Sequence, residues 1–184
     1  MSRKPDPVAA AEVALDRVVA VQARIDALAA ERAEALLAFE EAFAEAFPAS
    51  ADPMRERAER AELACALRLP ERAVDTLLGE ARTLARELPA TLAALSEGRF
   101  SYRHAQVLVD ETAGLDPDDR EAVERVALGT AGTTTVSQFR GRVRRLRERR
   151  APESMAERAR TARESRELVL DPAPDGMAYL TLYT

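Results

Sequence analysis

From Val8 to Phe47 the chain runs forty residues without a proline or a glycine. Within that stretch positions 8, 11, 15, 18, 22, 25, 29, 32, 36, 39, 43 and 46 step by three and four. They hold Val, Ala, Leu, Val, Gln, Ile, Ala, Arg, Leu, Phe, Phe and Ala. Such spacing predicts one long helix with a heptad-like seam, broken at Gln22 and Arg32. At about 1.5 Å per residue this helix is roughly 60 Å long, more than a small bundle covers. Either it bends near its polar breaks, or it packs along its own domain, or it extends as a coiled-coil arm of a homodimer.

Residues 1–7 carry Pro5, Pro7 and charges and read as a frayed tail. Pro48 to Pro53 interrupts the long helix of 8–47, and Asp52-Pro53 supplies a cap and a first-turn proline for the next. From 53 to 165 the chain reads as a helical bundle. Its second helix ends near Arg68, with Ala61, Ala64, Cys65 and Leu67 as core candidates. Pro70 opens another, with Val74, Leu77, Leu78, Ala81 and Leu84 at helical spacing. Pro89 opens a short helix that Gly98 ends in the left-handed C′ position. Ser101 is placed to cap a helix carrying Ala105, Val107, Leu108 and Val109. Asp116-Pro117-Asp118-Asp119 starts a helix with Val123, Val126, Ala127 and Leu128. Thr134 or Thr135 caps a last clear helix with the stripe Val136, Phe139, Val143 and Leu146, and a short helix follows Pro152. Residues 166–184 alternate like two strands around the turn residues Asp171 to Gly176, a hairpin that reads as the truncated start of a following region. The fold class is therefore mainly α, a multi-helix bundle with a long N-terminal helix and a short C-terminal β-hairpin.

Composition narrows the function. Cys65 is the one cysteine and His104 the one histidine, so a thiolate zinc cluster and a histidine-rich catalytic metal site are both excluded. A phosphate-binding glycine loop, a nucleophile elbow and an HExxH helix are all missing. His104 reads as structural, and the adjacent acids Glu40-Glu41 and Asp118-Asp119 as solvated surface. Without a catalytic centre, cofactor or small-molecule substrate, the chain must act through its surface. The N-terminus lacks the apolar run of a signal peptide, and no stretch approaches the roughly 18 apolar residues of a membrane span. The cytoplasm is the expected location.

The net charge is −5, which argues against a protein coated all round for nucleic acid. One local exception stands out. Arg140, Arg142, Arg144, Arg145, Arg147, Arg149 and Arg150 face a single acid, Glu148. Such a run suits phosphate contact, but the same spread is what a solvated helix face shows. A further candidate is the helix-turn-helix-like stretch 61–84, followed by 92–109. Gly98, Phe100, Ser101, His104 and Ala105 resemble the helical DNA-reading region of ParB-type partition proteins. Arg72, Arg99 and Arg103 would be its phosphate contacts, beside the acids Glu71 and Asp75.

A longer resemblance covers about residues 60–184. LPATLAALSEGRFSYRHAQVLVD is followed by a helix opened by LDPDD, an Arg-rich helix, AERARTARESRELVLDP and the turn PDGMAYL. Leu88, Pro89, Leu95, Gly98, Ser101, Ala105, Arg163, Arg166, Asp175, Gly176 and Met177 stand where the actinobacterial 13E12 repeat family places them. Fuller members of that family commonly end in an HNH nuclease domain. The resemblance implies a non-catalytic helical domain of an HNH-endonuclease-type protein, binding DNA or scaffolding. Any divalent metal would belong to the nuclease domain, which is missing here. The alternative is a structural or oligomerisation domain with no nucleic-acid contact.

Overall fold

The computed structural model describes residues 7–48, 53–151, 168–172 and 177–182. Helix α1 (Pro7–Ala46) is the long helix, and α2 (Pro53–Leu67) follows it. Then come α3 (Glu71–Glu87), α4 (Pro89–Ser96), α5 (Tyr102–Thr112), α6 (Pro117–Ala131) and α7 (Val136–Arg150). Strands β1 (Leu168–Pro172) and β2 (Ala178–Leu182) pair antiparallel, with Leu170 opposite Leu180. The helix expected after Pro152 and most of the turn expected after Asp171 lie outside the described residues, as do residues 1–6 of the expected tail.

Helix α3 is the hub, touching α1, α2, α4, α5 and α6. Its apolar residues recur every three or four positions, so Val74, Leu78, Ala81 and Leu84 form one fully buried line. Two cores meet along it. The larger joins Leu84, Leu95, Leu108, Val123, Phe139 and Val143 from five helices. The smaller joins Leu36 of α1 and Leu63 of α2 to Val74 and Leu78. Small residues let the backbones approach. Gly98, at φ 66°, ends α4 in the left-handed region, and a Cβ there would lie 3.1 Å from the Ala23 carbonyl oxygen of α1.

Two features depart from the sequence reading. On α2, Cys65 and Leu67 are exposed, Ala61 and Ala64 are only partly covered, and the buried pair is Glu59 and Leu63. That helix is mostly Ala, Glu and Arg, so its apolar periodicity is too weak to mark the packed face. On α6, Val126 is half exposed although Val123 and Ala127 are buried.

Helix α1 divides into two parts. Asp26, Ala30, Ala33 and Leu36 are buried against α3, α4 and α5. Residues 7–22, ahead of the bundle, are exposed. The seam read from sequence therefore splits: Leu36 is buried and Ala29, Phe39 and Phe43 are partly covered, but Val8, Leu15, Val18 and Ile25 face solvent.

Candidate nucleic-acid interface

Helix α7 begins with a full capping box. The Thr135 side chain accepts from the Gln138 backbone N–H, and the Gln138 side chain accepts from the Thr135 N–H. Phe139 and Val143 are fully buried, with Val136 and Leu146 partly so, and this stripe seats α7 on α5 and α6. Anchoring that face fixes where every arginine of the helix lies.

The arginines sort into two groups. On the side facing α5, Arg140 reaches Asp110 (3.1 Å) and Glu111 (3.4 Å). Arg144 and Arg147 also reach Glu111, at 3.5 and 3.3 Å. The Glu111 side chain is only 5% exposed, so one buried carboxylate serves three guanidinium groups. Arg142, Arg145 and Arg149 are spaced i, i+3, i+7, which puts them on one face of the helix. They are exposed and make no ion pair among the described residues, and Arg150 at the helix end is likewise unpaired.

The remaining arginine candidates are scattered. Arg99 pairs with Glu97 at 2.6 Å. Arg103 is exposed beside α1, and Arg72 is exposed in the first turn of α3 next to Glu71 and Asp75. Asp75 in turn pairs with Arg60 of α2 at 3.1 Å. The structure thus brings together the α7 arginines and leaves the others apart.

A comparison with protein-family models bears on what this helical body is: the model of a domain of unknown function, DUF222, matches residues 14–184. The chain belongs to the DUF222 family. No curated protein and no solved structure is matched.

Other polar groups of this DUF222 chain are used for assembly. His104 is buried between the rings of Phe100 and Phe139. Its Nε2 is 2.9 Å from the Thr134 carbonyl oxygen, which requires the proton on Nε2. Nδ1 is then the acceptor for the Ser101 hydroxyl at 2.7 Å. Ser101 stands at the N-cap of α5 as expected but makes no cap bond; its hydroxyl is turned to His104 instead. Asp26 of α1 replaces it, accepting the Tyr102 backbone N–H at 2.9 Å and so pinning α1 to the start of α5. The phenol of Tyr102 donates to Glu80, and burial together with that bond pushes its pKa up to about 12. Glu124 of α6 does for α4 what Asp26 does for α5. Its carboxylate accepts from both the backbone N–H and the hydroxyl of Thr91, each at 2.7 Å.

These buried acids were invisible to sequence reasoning, since a lone acid in a helix reads as surface. Glu40, read as solvated, is instead held by Arg82 of α3, and that bond raises the already high pKa of the guanidinium. Glu59 lies next to this pair. It is buried, one of its oxygens has no hydrogen-bond partner, and desolvation followed by the nearby Glu40 charge raises its pKa. Among the described residues no group of three His, Cys, Asp or Glu side chains could hold a metal ion. No described helix is long and apolar enough to cross a membrane. A cleft of about 650 Å³ between the end of α1 and α2 is lined mainly by Phe43, Phe47, Met54 and Ala58. Among the described residues Arg55 and Glu62 are the charged groups that line it.

Proposed function

We propose that this DUF222 chain is the non-catalytic helical part of a DNA-handling protein and that Arg142, Arg145 and Arg149 contact duplex phosphates. The observation that carries this reading is the sorting of charge on α7. Surface charge is usually matched nearby, and one side of the helix follows that rule through Asp110 and Glu111. The other side holds three long cations over about 10 Å with no acid partner among the described residues. Duplex DNA carries one phosphate charge per roughly 1.7 Å of axis, so such a stripe spans several phosphates, and each contact releases counterions. Guanidinium groups suit phosphate oxygens better than ammonium groups because they donate in a fixed fork.

Helix α3 is the poorer candidate for reading DNA. Its exposed N-terminal end presents the acids Glu71 and Asp75, the latter already paired with Arg60, and its inner face is committed to the core. The likeness of residues 60–184 to the 13E12 repeat family supports the wider reading. In such a protein an HNH domain would supply the metal and the cutting, and the helical part would hold the substrate.

Anisotropy with a labelled mixed-sequence duplex tests it. Binding at about 50 mM salt should weaken roughly 40-fold by about 200 mM salt, the loss expected for three phosphate contacts. A chain that shows no binding at the lower salt is the structural domain instead, with no nucleic-acid role.

A further inference from the structure

We infer that the N-terminal part of α1 pairs antiparallel with the same segment of a second copy of this chain, forming a two-fold homodimer. This inference does not rest on DNA contact. Ala11, Ala14, Val18, Val21, Ile25 and Leu28 follow steps of three, four, three, four and three, and all are exposed. That is the a/d pattern of a coiled coil, with β-branched Val18 and Ile25 at a and Leu28 at d. At 100° per residue it lies roughly a quarter-turn round the helix from the buried line Asp26, Ala30, Ala33 and Leu36. One helix can therefore serve its own bundle and a partner at once.

The exposed area is sufficient. Leu15, Val18, Val21, Ile25 and Leu28 are 47–64% exposed. At roughly 100 Å² each, two copies bury about 1,000 Å² from these residues alone, the size a specific interface has to reach. Leaving such a stripe in water in a stable monomer is unusual.

Charge decides both the partner and the direction. Arg17, Arg24 and Glu31 flank the seam on one side, and none makes an ion pair among the described residues. With chains antiparallel, Val18 packs on Leu28 of the partner subunit and Val21 on the partner subunit's Ile25. Arg17 then meets Glu31 of the partner subunit, and two-fold symmetry makes the pair twice, against one Arg24 contact across the axis. With chains parallel no flanking pair forms, and Arg32 would face its own copy in the seam. The antiparallel register also lays Leu15 beside Ala29 of the partner subunit. There a cleft of about 430 Å³ runs between α1 and the start of α5, lined by Ile25, Ala29, Arg32 and Tyr102 among others. A second copy fits this surface because the surface complements itself.

Sedimentation equilibrium at about 50 µM should give twice the chain mass. Val18→Glu with Ile25→Glu, at positions already in solvent in the single chain, should give a folded monomer with unchanged helical circular dichroism. Arg17→Glu should weaken the dimer about tenfold or more, and adding Glu31→Arg should restore it. A Val21→Cys chain mixed with an Ile25→Cys chain, both carrying Cys65→Ser, should oxidise to the mixed covalent dimer. A monomeric wild type, a double-Glu variant that still dimerises, no rescue by Glu31→Arg, or each cysteine variant linking only to itself would each overturn the proposal.

Discussion

Arg140, Arg144 and Arg147 on one side of α7 and Arg142, Arg145 and Arg149 on the other belong to one fifteen-residue helix, held by one buried stripe. They differ in what the neighbouring helix sets opposite them. The inner group faces α5, where Asp110 and the buried Glu111 absorb its charge. The outer group faces solvent. The difference teaches that a run of like charges in sequence is not a patch. The patch is what remains after the fold has subtracted its own counter-charges, and here the subtraction leaves three arginines in register.

The sharpest way to break this division is to remove the absorbing acid. Glu111→Ala leaves three arginines without their buried partner, of which Arg147 is itself only 12% exposed. Loss of about 2–3 kcal/mol in urea unfolding is expected, tempered by the exposure of Arg140 and Arg144. A change under about 0.5 kcal/mol would mean that the cluster is not structural. Arg147→Ala should cost less, about 1–2 kcal/mol, because Glu111 keeps two other partners while the packed stem is lost.

Glu59 sharpens the contrast from the opposite direction, as a buried acid without a full set of partners. Its folded pKa is raised, so its contribution to stability is fully present below the unfolded value near 4.5. That contribution is lost as pH rises through the folded value. Ionised Glu59 therefore costs stability at neutral pH. Glu59→Gln should raise the Tm at pH 7, with the gain fading as pH falls toward 4.5. A lowered Tm at pH 7 would show that the carboxylate is matched after all. The smallest effect belongs to the outer stripe: Arg142→Ala, Arg145→Ala and Arg149→Ala together should change stability by no more than about 0.5 kcal/mol.

Much of α7 was legible in the sequence, because capping and apolar periodicity are local. The stripe Val136, Phe139, Val143 and Leu146 lies within eleven residues, and the cap is narrowed to Thr134 or Thr135, of which the structure uses Thr135 with Gln138 completing the box. The extent of α1 and the left-handed turn at Gly98 were legible for the same reason. The division of the arginines was not, because Glu111 lies 29 and 36 residues from Arg140 and Arg147. Likewise Asp26 caps a helix 76 residues away and Glu124 a helix 33 residues away. Nothing in the local pattern of an acid tells whether a distant backbone N–H will arrive to be satisfied. The packed face of α2 was lost to a different cause, since alanine is compatible with either side of a helix and Leu63 alone carries little periodicity.

The most direct test compares the salt dependence of duplex binding for the wild-type chain and for the Arg142→Ala, Arg145→Ala, Arg149→Ala chain. With three phosphate contacts removed, the slope of log K against log salt should become shallower by about 2.7. A slope that does not change, with binding retained, would place the contact elsewhere on the molecule and contradict the assignment of the outer face of α7.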